Sequence, residues 1–259
     1  MPSFSAFVIN LEHDAPRRDH MQKQLDKIGL IAEFVPAVDG HTLSNFDRSV
    51  YDRAKALRIY GVEMMDTEIG CYLSHYRLYE RMVREDIDFA LIMEDDIEIS
   101  QNLPRIINDL ISDVTTEWLV VRLESMRGRV LQPPSQKFMG KNVKKLRDGD
   151  LYKLGTHVLG FGGYLIRKEG ALRMLDYGRH IFMPVDQTMD RYWENGIVPY
   201  IVRPLPIHQR QDFESRIGAR PPGRNLGQHL LLHLQRRGQR IYDGIRKRIF
   251  STDIFVSRS

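Results

Sequence analysis

Two short runs constrain this chain most: SAFVINL at residues 5–11 and FALIM at 89–93 carry no charge at all. A strand with one wet face alternates apolar and polar residues, whereas a strand that is apolar throughout is covered on both faces, as in a parallel sheet flanked by helices. The intervals between such runs fit that arrangement. Pro16 stands in a first helical turn, Met21, Leu25 and Ile28 recur at helical spacing, and Gly29 stops the helix. EFVPAVDG is a second strand, weakened by Pro36 and closed by Asp39-Gly40. From Asp66 or Thr67, either able to cap a helix, Ile69, Tyr72, Leu73, Tyr76, Tyr79 and Val83 form one apolar stripe. Ile106, Ile107, Leu110 and Ile111 predict a further helix before WLVVRL at 118–123. FGGYLIR, a helix over 169–177, a turn at Pro184 and the strand IVPYIV complete the pattern. The expectation is an α/β fold with a mainly parallel central sheet. The polar, basic stretch 126–157 exceeds a routine connection and reads as a functional or a disordered loop.

Composition sets bounds on that reading. In 259 residues, 42% hydrophobic content can bury a sizeable core, and 28% charged residues without any compositionally simple stretch argue against disorder. Cys71 is the sole cysteine, which excludes an internal disulfide and a zinc site built on several thiolates. The N-terminus lacks the features of a signal peptide, and no run approaches the roughly 20 apolar residues of a membrane span. A cytoplasmic location is expected.

The chemistry is concentrated in Glu94-Asp95-Asp96, directly after FALIM. In open α/β sheets ligands bind outside the carboxyl ends of strands. Two carboxylates about 4 Å apart repel by roughly 4 kcal/mol at an effective dielectric of 20, so such a cluster needs a cation or stays partly protonated. A hard ion, Mn²⁺ or Mg²⁺, relieves the repulsion and can bridge diphosphate oxygens. The plain alternative is a solvated acidic turn.

The segments FVINLEHDAPRRDHM, FVPAVDG, EIGCYLSHYRLYERM, FALIMEDDIEI, GGYLIRKEGALRML, PVDQTMD and ESRIG occur in this order, and together they resemble glycosyltransferase family 25, the bacterial lipooligosaccharide galactosyltransferases and their collagen-modifying relatives. The resemblance implies a GT-A-like nucleotide-sugar-binding fold, a nucleotide-sugar donor and an inverting transfer to a sugar hydroxyl. It implies UDP-galactose as the donor and a lipooligosaccharide or lipopolysaccharide saccharide, lipid-linked, as the acceptor. Asp96 becomes the direct metal ligand, with Glu94 reaching the ribose, or the metal through water, and Asp95 beside them at the nucleotide sugar. His208 in PLPIHQR completes the metal shell, or is a surface loop residue. Asp186 is the candidate base, with Asp190 as substitute, although an aspartate after Pro184 also suits a helix cap. Asn10, Arg17 and Arg18 lie where the nucleotide rests, Arg18 pairing with a phosphate. Asp39 contacts base or ribose unless it serves only a turn, and Ser74 and His75 sit near a helix start that favours an anion.

Two other functions compete: a Mg²⁺-dependent phosphoryl-transfer protein using Asp95 and Asp96, and a non-catalytic module binding membrane or nucleic acid. The charge distribution bears on the second. Residues Ser215 to Ser259 carry ten Arg or Lys against Asp243 and Asp253, a net +8 that leaves −4 for the rest of a +4 chain. That is the pattern of an enzyme with a basic tail, not of a nucleic-acid binder. Residues 1–223 are therefore expected to form the catalytic domain and 224–259 a basic helical appendage. On a helical wheel Leu226, Leu230, Leu234, Ile241, Ile245 and Ile249 share one side, and Arg236, Arg240 and Lys247 another. Such a segment can rest on an anionic membrane surface, placing the protein peripherally on the inner face of the cytoplasmic membrane.

Overall fold

The computed structural model describes residues 2–126, 140–210, 238–239 and 241–250. The chain runs β1 (Phe4–Asn10), α1 (Ala15–Ile28), β2 (Glu33–Pro36), the short helices α2 (Asn45–Ser49) and α3 (Arg53–Lys55), α4 (Asp66–Arg84), β3 (Phe89–Glu94) and β4 (Ile97–Ile99). It continues through α5 (Leu103–Ile111), β5 (Val120–Arg122), β6 (Gly140–Leu146), β7 (Gly149–Leu154), β8 (Gly163–Arg167), α6 (Lys168–Tyr177), α7 (Val185–Met189), α8 (Tyr192–Asn195), β9 (Pro199–Arg203) and β10 (Ile207–Gln209).

Eight strands form one sheet in the order β2-β1-β3-β8-β5-β9-β7-β6, and β4 pairs with β10 in a separate ribbon. The pairs β1–β2, β1–β3 and β5–β9 are parallel, as the alternation of strands and helices predicts. β8 enters antiparallel between β3 and β5. The charge-free runs are explained by burial on two faces. Along β3, Ala90 and Ile92 pack with α4 and α6 on one side, while Leu91 and Met93 pack with α1 and α5 on the other. The result is a three-layer α/β fold in which the carboxyl ends of β1 and β3 come together, the GT-A-like arrangement that the resemblance implies.

Three local expectations need correction. Met65, not Asp66 or Thr67, caps α4, and its N–H donates to Glu68 Oε2 at 2.8 Å, a backward reach that leaves Asp66 and Thr67 inside the first turn. Met82, not Val83, carries the end of the buried stripe. The second half of the stretch read as a long loop at 126–157 is also not loop, and 127–139 lie outside the described residues. Residues 140–154 form the β6–β7 hairpin, which extends the sheet through an antiparallel β7–β9 pairing. Its lysine-rich outer strand is polar because it is an edge, where charge discourages pairing with another chain.

The basic tail is described in part. Residues 241–250 are helical, with Asp243 bonded to Arg191 at 2.9 Å through both carboxylate oxygens and Phe250 packed on Tyr192. Ile241, Ile245 and Ile249 stay 55–61% exposed. Leu226, Leu230, Leu234, Arg236 and Arg240 lie outside the described residues, as does ESRIG.

One close contact fixes α4 against the loop after β2. A Cβ on Gly70 would lie 2.6 Å from the Val38 carbonyl oxygen and 2.8 Å from the Gly40 nitrogen, and a Cβ on Gly40 would lie 2.4 Å from Thr67 Cα. All these atoms are backbone, so neither side can yield by a rotamer change. On an open helix face Gly→Ala stabilises by about 1 kcal/mol. Here the sign should reverse: Gly70→Ala is expected to destabilise by about 1–3 kcal/mol, read as a lowered midpoint of thermal unfolding. A raised midpoint would remove the contact as an explanation for the glycine.

Candidate active site

The acidic triplet leaves β3 at the point where β1 ends and α1 begins. Asp95, only 7% exposed, is tied from both sides: Asn10 Nδ2 donates to Oδ2 at 2.7 Å and Arg17 Nη1 to Oδ1 at 2.9 Å. The turn after the triplet is held by Gln24 of α1, whose amide donates to the Ile97 carbonyl at 2.8 Å and accepts from the Ile99 N–H at 2.7 Å. The middle carboxylate thus anchors the site from the edge of the cleft that it also lines.

Glu94 and Asp96 are different. Both line, with Asp95 between them, a cleft of about 200 Å³ together with Ile9, Arg17, Val38, Asp39, His41, Thr67, Cys71, His75 and Gln209. Burial and the Asp95 charge push Glu94 up to about 7; burial and the Glu94 charge push Asp96 up to about 6. Arg17 approaches Asp96 only to 3.7 Å, and Asp96 Oδ1 is buried without a hydrogen-bond partner among the described residues. A buried, unpartnered carboxylate oxygen beside a second carboxylate fits a hard divalent ion, with Asp96 and Glu94 as the residues to hold it.

The other residues singled out from sequence divide. Asn10 is buried and committed to Asp95, and Asp39 lines the cleft while accepting from the His41 N–H at 2.8 Å. Arg18 is exposed and stacks over Phe34 at 4.6 Å, so Arg17 is the arginine at the acidic cluster. Ser74 and His75 lie two turns inside α4, not at its start, so they offer no free amides to an anion. The Ser74 hydroxyl is used up, donating to Gly70 O and accepting from the Val38 N–H, both at 2.8 Å. His75 is 1% exposed, with Nδ1 on the Tyr164 hydroxyl at 2.9 Å and Nε2 at 3.4 Å from Glu94; burial holds it down to about 3, so the ring is neutral. His208 is exposed on β10 opposite Glu98, and its neighbour Gln209 lines the cleft instead. Successive residues on a strand face opposite ways, which takes His208 out of the metal shell.

A second carboxylate group lies beyond Glu94. Asp186 accepts from its neighbour Gln187 N–H at 2.8 Å and from Gly160 N–H at 3.3 Å, and burial and Asp190 raise its pKa. Asp190 is 2% exposed and accepts from Val158 N–H at 2.9 Å and Leu159 N–H at 2.8 Å. It orders the 158–160 loop and is no substitute base. Two residues of this region went unread in the sequence. Glu124, 4% exposed and pushed up to about 7 by burial, accepts from Gly162 N–H at 3.2 Å. Arg122, 2% exposed and 4.6 Å over the Phe161 ring, lowers the pKa of Glu124, Asp186 and Asp190 through its charge. The signal existed: Arg122 and Glu124 break an apolar strand just as Glu94 ends one, and Arg17 shares the buried face of α1 with Met21 and Leu25.

The raised pKa values carry a stability consequence. Glu94 goes from 4.5 to about 7 on folding, so its contribution is full below pH 4.5 and is lost as pH rises through about 7. His75, held neutral, works in the opposite direction below its ordinary 6.5, so the Glu94 effect is best isolated by substitution. Without divalent ions, Glu94→Gln should raise the unfolding midpoint at pH 7.5, by about 2–4 °C for each kcal/mol recovered, and leave it unchanged at pH 4.5. A lowered midpoint at pH 7.5 would mean that the carboxylate is compensated.

Comparison with known proteins agrees with the motifs. The model of glycosyltransferase family 25 (LPS biosynthesis protein) matches residues 4–189. A "Glycosyltransferase 25 family member" of Anopheles gambiae is 32% identical over 198 residues, covering 73% of this chain and 31% of that protein. "Procollagen galactosyltransferase 2" of Mus musculus is 26% identical over 230 residues (81% and 32%), and a "Probable inactive glycosyltransferase 25 family member 3" of Rattus norvegicus is 26% identical over 233 (80% and 39%). The chain spans about a third of the length of these relatives. With most of its length matched by the family model and a relative at 32% identity, this chain belongs to glycosyltransferase family 25.

Proposed function

We propose that the chain is a metal-dependent, inverting glycosyltransferase that moves a hexose, galactose from UDP-galactose, onto a saccharide hydroxyl of a lipid-linked lipooligosaccharide or lipopolysaccharide acceptor. The observation that carries this reading is the pair of uncompensated carboxyl groups, Asp96 and Glu94, lining the cleft. Mn²⁺ or Mg²⁺ bound there supplies charge that neutralises the leaving diphosphate. Arg17, immobilised by Asp95, holds a positive charge beside the same oxygens. Asp186 takes the proton of the acceptor hydroxyl. Its raised pKa makes it a stronger base than a solvated aspartate, and its two backbone donors fix its orientation. The Arg122 charge acts on Asp186 in the lowering direction, against burial and Asp190.

The reading gains further support from the C-terminal helix. Asp243 and Phe250 turn inward while Ile241, Ile245 and Ile249 face solvent in a basic segment, the disposition of a helix that rests on an anionic bilayer and brings the enzyme to a lipid-linked acceptor on the cytoplasmic side.

Asp96→Ala is expected to fold and to lose Mn²⁺-dependent release of UDP from UDP-galactose. Asp186→Asn should keep Mn²⁺ and donor affinity while kcat falls by about 10²–10⁴. Full turnover in the first variant, or collapsed donor affinity in the second, would reassign those residues. For the tail, replacing Ile241, Ile245 and Ile249 together by Ser should weaken salt-sensitive binding to anionic vesicles and spare transfer to a small soluble acceptor. Vesicle binding unchanged by the triple substitution would exclude the isoleucine row as the contact.

A further inference from the structure

The wall of the cleft holds a second set of donor atoms. Cys71 and His75 are four apart on α4 and so share a face, and Glu94 meets them from the end of β3. Cys71 Sγ lies 3.7 Å and His75 Nε2 3.4 Å from the same oxygen, Glu94 Oε1, and the three donor atoms are within 4.8 Å of one another. Zinc with tetrahedral bonds of about 2.3 Å to sulfur and about 2.0–2.1 Å to nitrogen and oxygen spaces its ligands about 3.4 Å apart for N···O and about 3.6 Å for S···O. Two of the three spacings already have those values. A metal-bound imidazole is steadied through its other nitrogen, and His75 has that support: Nδ1 meets the Tyr164 hydroxyl at 2.9 Å, which in turn meets the Tyr79 hydroxyl at 2.8 Å. All three residues line the cleft, which gives an ion a route to them.

We propose that Cys71, His75 and Glu94 form a site for a thiophilic divalent cation, zinc foremost, distinct from the oxygen-donor position at Asp96. Thiolate and imidazole select zinc or cadmium over Mn²⁺ and Mg²⁺. On binding, the Cys71 S–H bond breaks, the sulfur–metal bond forms and the proton leaves to solvent, with no change of oxidation state. The thiolate and the Glu94 carboxylate then balance the two positive charges. Zinc also withdraws Glu94 from the ion that would bind the diphosphate; that consequence alone rests on the proposed transferase reading.

Titrating the full-length protein with Cd²⁺ tests the site without any turnover, so it stands or falls separately from the catalytic reading. Cys71 is the only cysteine in the chain, so thiolate-to-cadmium charge-transfer absorption reports this position alone. The expected result is a band that saturates at one equivalent, is displaced by Zn²⁺ and persists in Asp96→Asn. Cys71→Ser, close in size, should lack the band and bind Zn²⁺ at least about tenfold more weakly, since even loss of a residue one shell further out costs that much. Zinc should also slow alkylation of Cys71 in the unsubstituted protein, a readout independent of any variant's folding. Absence of the band, its loss in Asp96→Asn, zinc affinity unchanged in Cys71→Ser, or alkylation indifferent to zinc would each overturn the proposal.

Discussion

Everything in the site depends on a buried carboxylate that ties three elements together. Asp95 draws the end of β1, through Asn10, and the first turn of α1, through Arg17, onto the end of β3. Removing one partner from a buried ion pair costs about 3–5 kcal/mol because the other charge stays behind, so the three elements are locked in a single arrangement. The lock also sets the character of its neighbours. With Asp95 held by Asn10 and Arg17, Glu94 and Asp96 are left with each other's charge and little compensation.

Folding this chain therefore means assembling a place that is electrostatically unfavourable on its own. Glu94, Asp96, Glu124, Asp186 and Asp190 are all held above the ordinary carboxylate range, and burial is the leading cause for each. Arg122 and Arg17 are the cations set among them: Arg122 Nη2 stands 3.7 Å from Asp190 Oδ1, too far for a hydrogen bond, and Arg17 stands 3.7 Å from Asp96 Oδ2. Two hydrophobic clusters on the faces of the sheet supply the stability that tolerates this strain. A ligand of opposite charge gains affinity from the same repulsion that the apoprotein endures.

How much of this was legible in the sequence follows from what each feature depends on. β1, α1, β3, α4 and α6 were readable because periodicity and burial act along a single segment. The antiparallel insertion of β8 between β3 and β5 was not, since pairing direction is a long-range property. The β6–β7 hairpin was hidden because an edge strand is polar for the same reason a loop is. Within the site, the position of the acidic triplet was readable from the strand before it. The division of labour was not: that Asp95 is anchor, that Arg17 rather than Arg18 turns inward and that Gln209 rather than His208 faces the cleft each depend on which way one side chain points. A charged residue on an apolar stripe, as Arg17 is with Met21 and Leu25, is the local sign that was available.

The meeting of Gly40 and Gly70 has a consequence for how such a cleft can change over time. Because main chain touches main chain there, the distance between α4 and the Val38–Gly40 loop is set by atoms that every amino acid shares. Substitution at Asp39, His41 or Thr67 can therefore alter the chemical lining of the groove while its width stays constant. Diversification of this scaffold is channelled toward new ligands of the same girth rather than larger ones.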